Sequence, residues 1–279
     1  MNGIRPLSHL AKTLCAVAAC TAATACAPSR DAALDAAAAA GLTRVDRAAG
    51  PFVLALWHRT APNADTLYVY LEGDGHAWLS RTVPSNDPTP RNPVSLSLAA
   101  TERRGPVLYV ARPCQFINSP SCDRRYWTSA RFAPEVVDAT VAAIRAEQAL
   151  TETSSVVVTG YSGGGVLAAL VAERLETVRA LVTVAAPLDL DYWTEHHGIS
   201  PLSQSLRPLD LKSGRLSAIP QLHVAGGKDS TVPVAVLHSY AQRLDGHCTN
   251  IRVEPEFDHQ CCWTTRWPLP ALPSCDKDR

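Results

Sequence analysis

The chain has 279 residues, with 26 lysines and arginines against 26 aspartates and glutamates, so its formal net charge is zero. A neutral chain without a basic stripe gives no indication of nucleic-acid binding. Its length is sufficient for one globular domain with a buried sheet, and it requires no second domain.

The first 25 residues have the pattern of an export signal. Arg5 and Lys12 precede a short apolar stretch at 13–22, which is too short to form a stable membrane-spanning helix. Small residues at 23–25 provide the cleavage site that a signal peptidase requires. The segment resembles a bacterial lipobox, with alanine at 23 where leucine is usual. We therefore expect a lipid on Cys26 that anchors the mature protein to a membrane, facing the periplasm or the cell exterior. Secretion after residue 25 is the alternative.

Residues 26–50 are predicted to be a tether between this anchor and the folded domain. Residues 31–40 are nearly all alanine, with Leu34 and two aspartates. Such a composition is compatible with a helix, but its position directly after the anchor favours a linker. The folded domain is accordingly expected to span 51–279.

Strand-like and helix-like segments alternate through the rest of the chain. Pro134 opens a helical pattern with Val137, Val141 and Ile144 on one face, and proline is well tolerated in a first helical turn. This alternation predicts an α/β fold with a mostly parallel sheet covered by helices on both faces. The predicted strands are 52–57, 66–71, 106–111, 155–159, 180–185, 219–225 and 250–254.

A Gly-x-Ser-x-Gly pentapeptide stands between a predicted strand and a predicted helix. Residues 160–164 read Gly-Tyr-Ser-Gly-Gly, directly after an apolar strand and before an apolar helical stretch that starts at Val166. A serine hydroxyl becomes a useful nucleophile when it is exposed, held rigidly and placed beside a base. A sharp strand-to-helix turn holds it in this way, and small neighbours tolerate the strained backbone. Ser162 is therefore the predicted nucleophile.

An acid and a base follow Ser162 in the order that such a turn requires. Asp229 comes after the strand at 219–225, and His259 comes after the strand at 250–254. His259 is expected to take the proton of Ser162, while Asp229 orients the imidazole and stabilises its protonated form. Asp189, after the strand at 180–185, is the alternative acid. Asp258 is expected to be a turn residue, and most of the other eight histidines are expected to be solvated or packed.

These motifs together resemble the α/β-hydrolase family over roughly residues 52–263. In that family the loop after the third strand often carries a His-Gly pair, whose next backbone N–H donates to the oxyanion. Here Glu-Gly at 72–73 takes that position, so the resemblance implies oxyanion donors from the N–H groups of Asp74 and Gly163. Gly75 is the alternative to Asp74.

The resemblance also implies a small cap at about 189–216, where the family inserts segments over the active site. This stretch has no strong periodicity and includes Tyr192, Trp193 and the pair His196-His197. A long surface connection with one helix is the alternative. The arginines on loops after the early strands are expected to be solvated or paired with carboxylates; they are Arg112, Arg124, Arg125 and Arg131.

Six of the nine cysteines remain after Cys15, Cys20 and Cys26 are assigned to the signal and the anchor. Cys114 and Cys122 enclose a short loop and are expected to pair with each other. Cys261 and Cys262 are adjacent, so we expect them to reach separate partners, Cys248 and Cys275. A zinc site formed by His259, Cys261 and Cys262 is the alternative, but an exported protein with no Cys-x-x-Cys pair favours disulfides. No cofactor or metal is expected.

The combined pattern predicts a serine hydrolase that cleaves carboxylic esters of small acyl substrates. Ser162 would form an acyl-enzyme with the help of His259 and Asp229. A peptidase or thioesterase on the same three residues is one alternative, because one fold supports many activities. A non-catalytic binding lipoprotein is the other.

Overall fold

The computed structural model describes residue 1 and residues 29–211, 214–244 and 248–275. The expected export signal and Cys26 lie outside the described residues and stay predictions. In the described ranges, no helix combines the length and the apolar character that crossing a membrane requires.

The core of the fold is an eight-stranded sheet in the order β1-β2-β4-β3-β5-β6-β7-β8. Strands β3 to β8 are mutually parallel where they pair, and β1 and β2 are added antiparallel at one edge. This agrees with the predicted, mostly parallel sheet. The strands are β1 Thr43–Ala49, β2 Phe52–Arg59, β3 Thr66–Leu71, β4 Val107–Val110, β5 Ser155–Tyr161, β6 Val178–Val184, β7 Gln221–Gly226 and β8 Thr249–Glu254.

Helices cover both faces of this sheet. Leu67, Val69 and Leu71 of β3 point into one apolar cluster, and Tyr68 and Tyr70 point into another, as the two-residue period of a strand requires. The first cluster includes side chains of α3, α4 and α7, and the second includes α1 and α2. The helices are α1 Arg30–Ala39, α2 Val94–Thr101, α3 Pro134–Thr151, α4 Gly163–Arg174, α5 Leu190–His197, α6 Arg215–Ala218 and α7 Val234–Leu244.

The prediction of a tether at 26–50 is wrong for its described part. Residues 30–39 form α1, because alanine is the best helix former and the Ser29 side chain accepts a hydrogen bond from the Ala32 N–H at 3.3 Å. Ala33 and Ala37 lie four residues apart on one face and are buried. Strand β1 then pairs along its whole length with β2 across a turn at Gly50. The folded domain therefore includes α1 and β1.

The segment 189–216 connects β6 to β7 and contains α5, a short 3-10 turn and the start of α6. Its buried Leu202 packs on the cluster formed by α3, α4 and α7. The Leu206 N–H donates to the Phe132 carbonyl at 2.9 Å, and the Trp193 indole donates to the Thr231 carbonyl at 2.8 Å. The segment thus borders the loop after Asp229.

The C-terminal part of the described chain packs on the sheet face that carries α1 and α2. After β8, a 3-10 turn at Trp263–Arg266 leads into Trp267 and Leu269, and their buried side chains extend that cluster. The Trp267 indole donates to the Tyr70 hydroxyl at 3.1 Å. His259 lies between β8 and this segment.

Candidate active site

Ser162 lies in a sharp turn between β5 and α4. Its backbone has φ 51° and ψ −126°, a conformation that a non-glycine residue rarely adopts. The Ser162 N–H donates to the Val184 carbonyl at 2.8 Å, and the Ser162 carbonyl accepts from the Gly165 N–H at 2.9 Å. Backbone bonds on both sides therefore hold the strained residue, as a nucleophile elbow requires.

The glycines around Ser162 allow two pieces of backbone to approach closely. A Cβ on Gly160 would lie 2.1 Å from the Gly164 carbonyl oxygen, and a Cβ on Gly164 would lie 2.3 Å from the Leu71 carbonyl oxygen. Neither contact is possible for a larger residue without a backbone shift. The glycines therefore determine how closely the turn approaches the end of β3.

The structure brings Ser162, His259 and Asp229 within hydrogen-bonding distance. Nε2 of His259 lies 3.1 Å from Ser162 Oγ, and Nδ1 lies 2.8 Å from Asp229 Oδ2. The other oxygen of Asp229 accepts from the N–H groups of Thr231 and Val232, each at 2.8 Å. The carboxylate is thus fixed from behind while it faces the imidazole. The predicted residues meet in the predicted order, and their catalytic roles stay predictions.

The loops that carry the acid and the base are packed directly on each other. A Cβ on Gly226 would lie 2.4 Å from the Phe257 carbonyl oxygen, and a Cβ on Gly227 would lie 2.6 Å from the Pro255 carbonyl oxygen. The Lys228 N–H donates to the Phe257 carbonyl at 2.9 Å. The Gly-Gly pair before Asp229 therefore allows the two loops to approach closely.

The main chain of His259 is held by two aromatic side chains. Its carbonyl accepts from the Tyr161 hydroxyl at 2.9 Å and from the Trp263 indole at 3.0 Å. Asp258 accepts from the N–H groups of the two residues after His259, so it is the turn residue that was expected. Tyr161 and Trp263 were not identified from the sequence, because the residue type of a hydrogen-bond donor does not reveal which carbonyl it binds.

The predicted oxyanion residues lie against the elbow. A Cβ on Gly73 would be 3.3 Å from Ser162 Cβ, and a Cβ on Gly163 would be 2.3 Å from Asp74 Oδ1. Among the described residues, none accepts a hydrogen bond from the N–H of Asp74 or of Gly163. Gly75, the alternative donor, has φ +66° and packs against the Pro88 carbonyl. The loop after β3 therefore lies directly against the elbow, and the oxyanion role of Asp74 and Gly163 stays a prediction.

The side chain of Asp74 is bound by two buried arginines. Its Oδ1 accepts from Arg112 Nη1 at 3.0 Å, and its Oδ2 accepts from Arg131 Nη1. Burial opposes ionisation of Asp74, but the guanidinium groups of Arg131 and Arg112 outweigh it and lower the pKa of the carboxyl. Arg125 is paired in the same way with Glu135. These three arginines are carboxylate-paired, which was one of the expected outcomes.

Glu72, which replaces the histidine of the His-Gly pair, is completely enclosed. Its Oε1 accepts from the Gly73 N–H at 2.9 Å, and its Oε2 accepts from the Tyr109 hydroxyl at 3.1 Å. Burial raises the pKa of Glu72 to about 7, although these hydrogen bonds act in the opposite direction. A buried acid thus supports the loop after β3.

The alternative acid Asp189 and a further buried histidine, His223, have structural roles. Asp189 caps α5 and accepts from the Ser239 hydroxyl at 2.7 Å and from Arg243 at 2.9 Å, so it is not the acid that contacts His259. His223 is buried and its Nδ1 contacts the Thr183 hydroxyl at 2.8 Å. Burial lowers the pKa of His223 to about 3, so its imidazole is neutral in the fold.

Two expectations about the cysteines differ in outcome. Cys114 pairs with Cys122 as expected. The expectation that Cys261 and Cys262 reach Cys248 and Cys275 is wrong, since the structure has the disulfides Cys261–Cys262 and Cys248–Cys275. Cys248 precedes β8 and Cys275 lies at the end of the described chain, so this bridge joins the C-terminal segment to the sheet. The alternative zinc site is not formed. Cys261 and Cys262 are bonded to each other, and both nitrogens of His259 contact protein oxygens.

Comparison with known proteins gives matches in structure but not in sequence families. No protein-family model matches the chain, and no curated protein matches it. Among solved structures, an esterase of Pyrococcus furiosus is 13% identical with a TM-score of 0.55, over 81% of this chain and 88% of that chain.

Two further structural matches have the same character. A serine hydrolase without a lid from Xanthomonas campestris is 15% identical with a TM-score of 0.51, over 78% of this chain and 85% of that one. An alpha-beta serine hydrolase homologue from Coxiella burnetii is 14% identical with a TM-score of 0.51, over 78% of this chain and 89% of that one. Together with the sheet order and the turn at Ser162, these matches identify the architecture: the chain has the α/β-hydrolase fold.

Proposed function

We propose that this chain is a serine hydrolase that cleaves carboxylic esters through an acyl-enzyme on Ser162. The observation that carries the proposal is the continuous contact from Ser162 Oγ to His259 Nε2 at 3.1 Å and from His259 Nδ1 to Asp229 at 2.8 Å. The strained elbow that holds Ser162, a partly exposed residue, supports the same role.

The proposed reaction has two steps that use the same groups. Ser162 Oγ attacks the ester carbonyl carbon while its proton passes to His259 Nε2, and Asp229 stabilises the imidazolium. The oxyanion accepts from the N–H groups of Gly163 and Asp74. When the intermediate collapses, the C–O bond to the alcohol breaks and His259 returns the proton to the leaving oxygen. Water then attacks the acyl-enzyme with the same proton transfer, and the carboxylic acid leaves.

The structural matches support a hydrolytic reaction, because they include an esterase and serine hydrolases. We propose small acyl esters as the substrate class. The support is the short connection at 189–216, which adds few residues beside the site and whose contacts at Phe132 and Thr231 lie on loops next to Arg131 and Asp229. We propose this connection as a small cap at the rim of the site.

We also propose that the protein is exported and anchored by a lipid on Cys26. The support is the signal-like pattern of the first 25 residues and the three disulfides of the described chain, which are typical of oxidising compartments. Mass analysis of the mature amino terminus tests the anchor. A diacylglyceryl group on Cys26 is expected, and an unmodified amino terminus at that cysteine would favour secretion instead.

A substrate panel tests the reaction class. Acyl esters, acyl thioesters and aminoacyl amides with matched acyl groups are compared by kcat/KM for the wild type and for Ser162→Ala. The proposal expects the highest value for short esters and its loss in Ser162→Ala. A preference for amides or thioesters would replace the ester assignment with a peptidase or a thioesterase. No turnover on any member would favour a binding lipoprotein.

A further inference from the structure

Gln115 contacts the peptide that carries one of the proposed oxyanion donors. Its Nε2 donates to the Gly73 carbonyl at 2.9 Å. The Gly73 carbonyl and the Asp74 N–H belong to one planar trans peptide, in which they point in opposite directions. The bond to Gln115 therefore fixes the direction of the Asp74 N–H.

The orientation of the Gln115 amide is determined by its two partners. Its Oε1 accepts from the Arg112 N–H at 3.0 Å, while its Nε2 faces the Gly73 carbonyl. Because one partner only donates and the other only accepts, the reversed amide would lose both hydrogen bonds. The side chain is 1% exposed, so water does not compete for either contact.

The backbone around Gln115 is constrained for this placement. Its two neighbours, Cys114 and Phe116, are non-glycine residues with φ values of 69° and 61°. Cys114 is bonded to Cys122, and the Phe116 N–H donates to the Thr89 hydroxyl at 2.8 Å. Strained residues persist where the surrounding structure holds them, and they concentrate at functional sites.

Gly75 provides the space that the Gln115 amide occupies. A Cβ on Gly75 would lie 2.7 Å from Gln115 Nε2. In the preceding peptide, Glu72 accepts from the Gly73 N–H at 2.9 Å. Gly73 is thus held at its N–H by one buried side chain and at its carbonyl by another.

We propose that Gln115 is a positioning residue for the oxyanion hole, which holds the Gly73–Asp74 peptide so that the Asp74 N–H faces the developing negative oxygen. This inference rests on the proposed serine hydrolase function. The donated hydrogen bond also polarises the peptide, which makes the Asp74 N–H a stronger donor. Gln115 itself does not touch the reacting atoms.

The test compares Gln115→Met with Gln148→Met. Gln148 is also buried, donates to the Thr153 carbonyl at 3.2 Å and accepts from the Thr177 hydroxyl at 3.0 Å, but it lies on α3 away from Ser162. Both substitutions keep the side-chain volume and remove one donor and one acceptor. Removing an oxyanion donor costs about 10²–10³ in kcat, so loss of its alignment is expected to lower kcat of Gln115→Met about 10- to 100-fold.

KM on a short ester should change by less than about threefold in Gln115→Met, because the lost stabilisation belongs to the transition state. Gln148→Met should keep the wild-type kcat even if its melting temperature falls. Equal kcat values for the two folded variants would overturn the proposal. If Gln115→Met does not fold, Gln115→Asn, which keeps an amide too short to reach Gly73, is judged by the same criterion.

The same series includes Ser162→Ala, which separates the two proposals. If the wild type turns over the ester, Ser162→Ala is inactive and Gln115→Met is fully active, the role of Gln115 alone is refuted. Undiminished turnover by Ser162→Ala would refute the serine hydrolase mechanism itself, and with it the oxyanion hole that Gln115 is proposed to support.

Discussion

The groups on the two sides of Ser162 differ in kind: side chains on one side and backbone N–H groups on the other. On one side, two side chains on loops after β7 and β8 form the proposed proton relay, and the imidazole of His259 is partly exposed. On the other side, backbone N–H groups face the proposed oxyanion, and buried charged or amide side chains hold that backbone in place. The proposed function of the first side depends on the chemistry of two side chains, and that of the second depends on the position of the backbone.

This difference determines whether a substitution on each side lowers activity, stability or both. Replacing His259 removes the proposed base, while the Asp229 carboxylate keeps its hydrogen bonds from Thr231 and Val232, so little loss of stability is expected. Replacing a supporting side chain on the oxyanion side leaves every N–H present but removes the partner of a buried polar group, which costs stability. Large losses of activity are therefore expected on one side, and combined losses of activity and stability on the other.

The largest effect is expected for His259→Ala. Loss of the base should lower ester kcat by about 10⁴-fold or more, as removal of a triad member does in serine hydrolases. The measurement is steady-state turnover of a short p-nitrophenyl ester at constant pH. His238→Ala is the control, since His238 is exposed on α7, and it should retain the wild-type rate. Comparable rates for the two variants would exclude His259 as the base.

The next largest loss of kcat is expected when the candidate acid Asp229, but not Asp189, is replaced. Asp229→Asn is expected to lower kcat by about 10²–10⁴-fold, because the amide no longer stabilises the imidazolium and favours the wrong tautomer. Asp189→Asn should keep kcat within about twofold and lower the melting temperature, since Asp189 bonds Ser239 and Arg243. A reversed pattern of kcat losses would identify Asp189 as the functional acid.

A stability effect follows on the oxyanion side. Asp74→Ala leaves Arg112 and Arg131 without their carboxylate, and breaking a buried ion pair costs about 3–5 kcal/mol in the free energy of unfolding. The exposed pair Lys228–Glu256 provides the control, because Glu256→Ala should cost less than about 1 kcal/mol. Urea unfolding measures both values. A loss of less than about 1 kcal/mol for Asp74→Ala would contradict this expectation, because it would mean that both guanidinium groups become hydrated when the carboxylate is removed.

The smallest of the four effects depends on pH. Glu72 has a pKa raised by burial to about 7 in the fold, against 4.5 as its ordinary value, so the folded state binds its proton more tightly. Its contribution to stability is present below pH 4.5 and is lost as the pH rises through about 7, with a size on the order of 3 kcal/mol. Glu72→Gln should remove this slope. Parallel stability curves for wild type and variant between pH 4.5 and 8 would contradict the assignment.

The parts that could be predicted from sequence are those with a local signature. The continuous apolar run of β3 and the small residues of the Gly-x-Ser-x-Gly turn are such signatures, and both elements lie where they were predicted. Strand β1 was missed because it lies at the sheet edge and has mostly exposed polar side chains. Helix α2 was missed because seven of its eight residues are buried, so it has no polar face to mark its period.

The supporting residues of the site could not be predicted from sequence for a different reason. Gln115 and Glu72 act through single hydrogen bonds to backbone atoms of Gly73, and their own residue types occur at any surface. The adjacent disulfide Cys261–Cys262 was missed because neighbouring cysteines were expected to reach separate partners. Such contacts depend on three-dimensional closure of loops, which no local pattern encodes.

The most direct test of the central claim is peptide mapping by mass spectrometry after reaction with a fluorophosphonate. The account predicts a single phosphonate adduct on the peptide that contains Ser162, with a much slower reaction in His259→Ala. An adduct on a different residue, or labelling of Ser162→Ala at the wild-type rate, would contradict it.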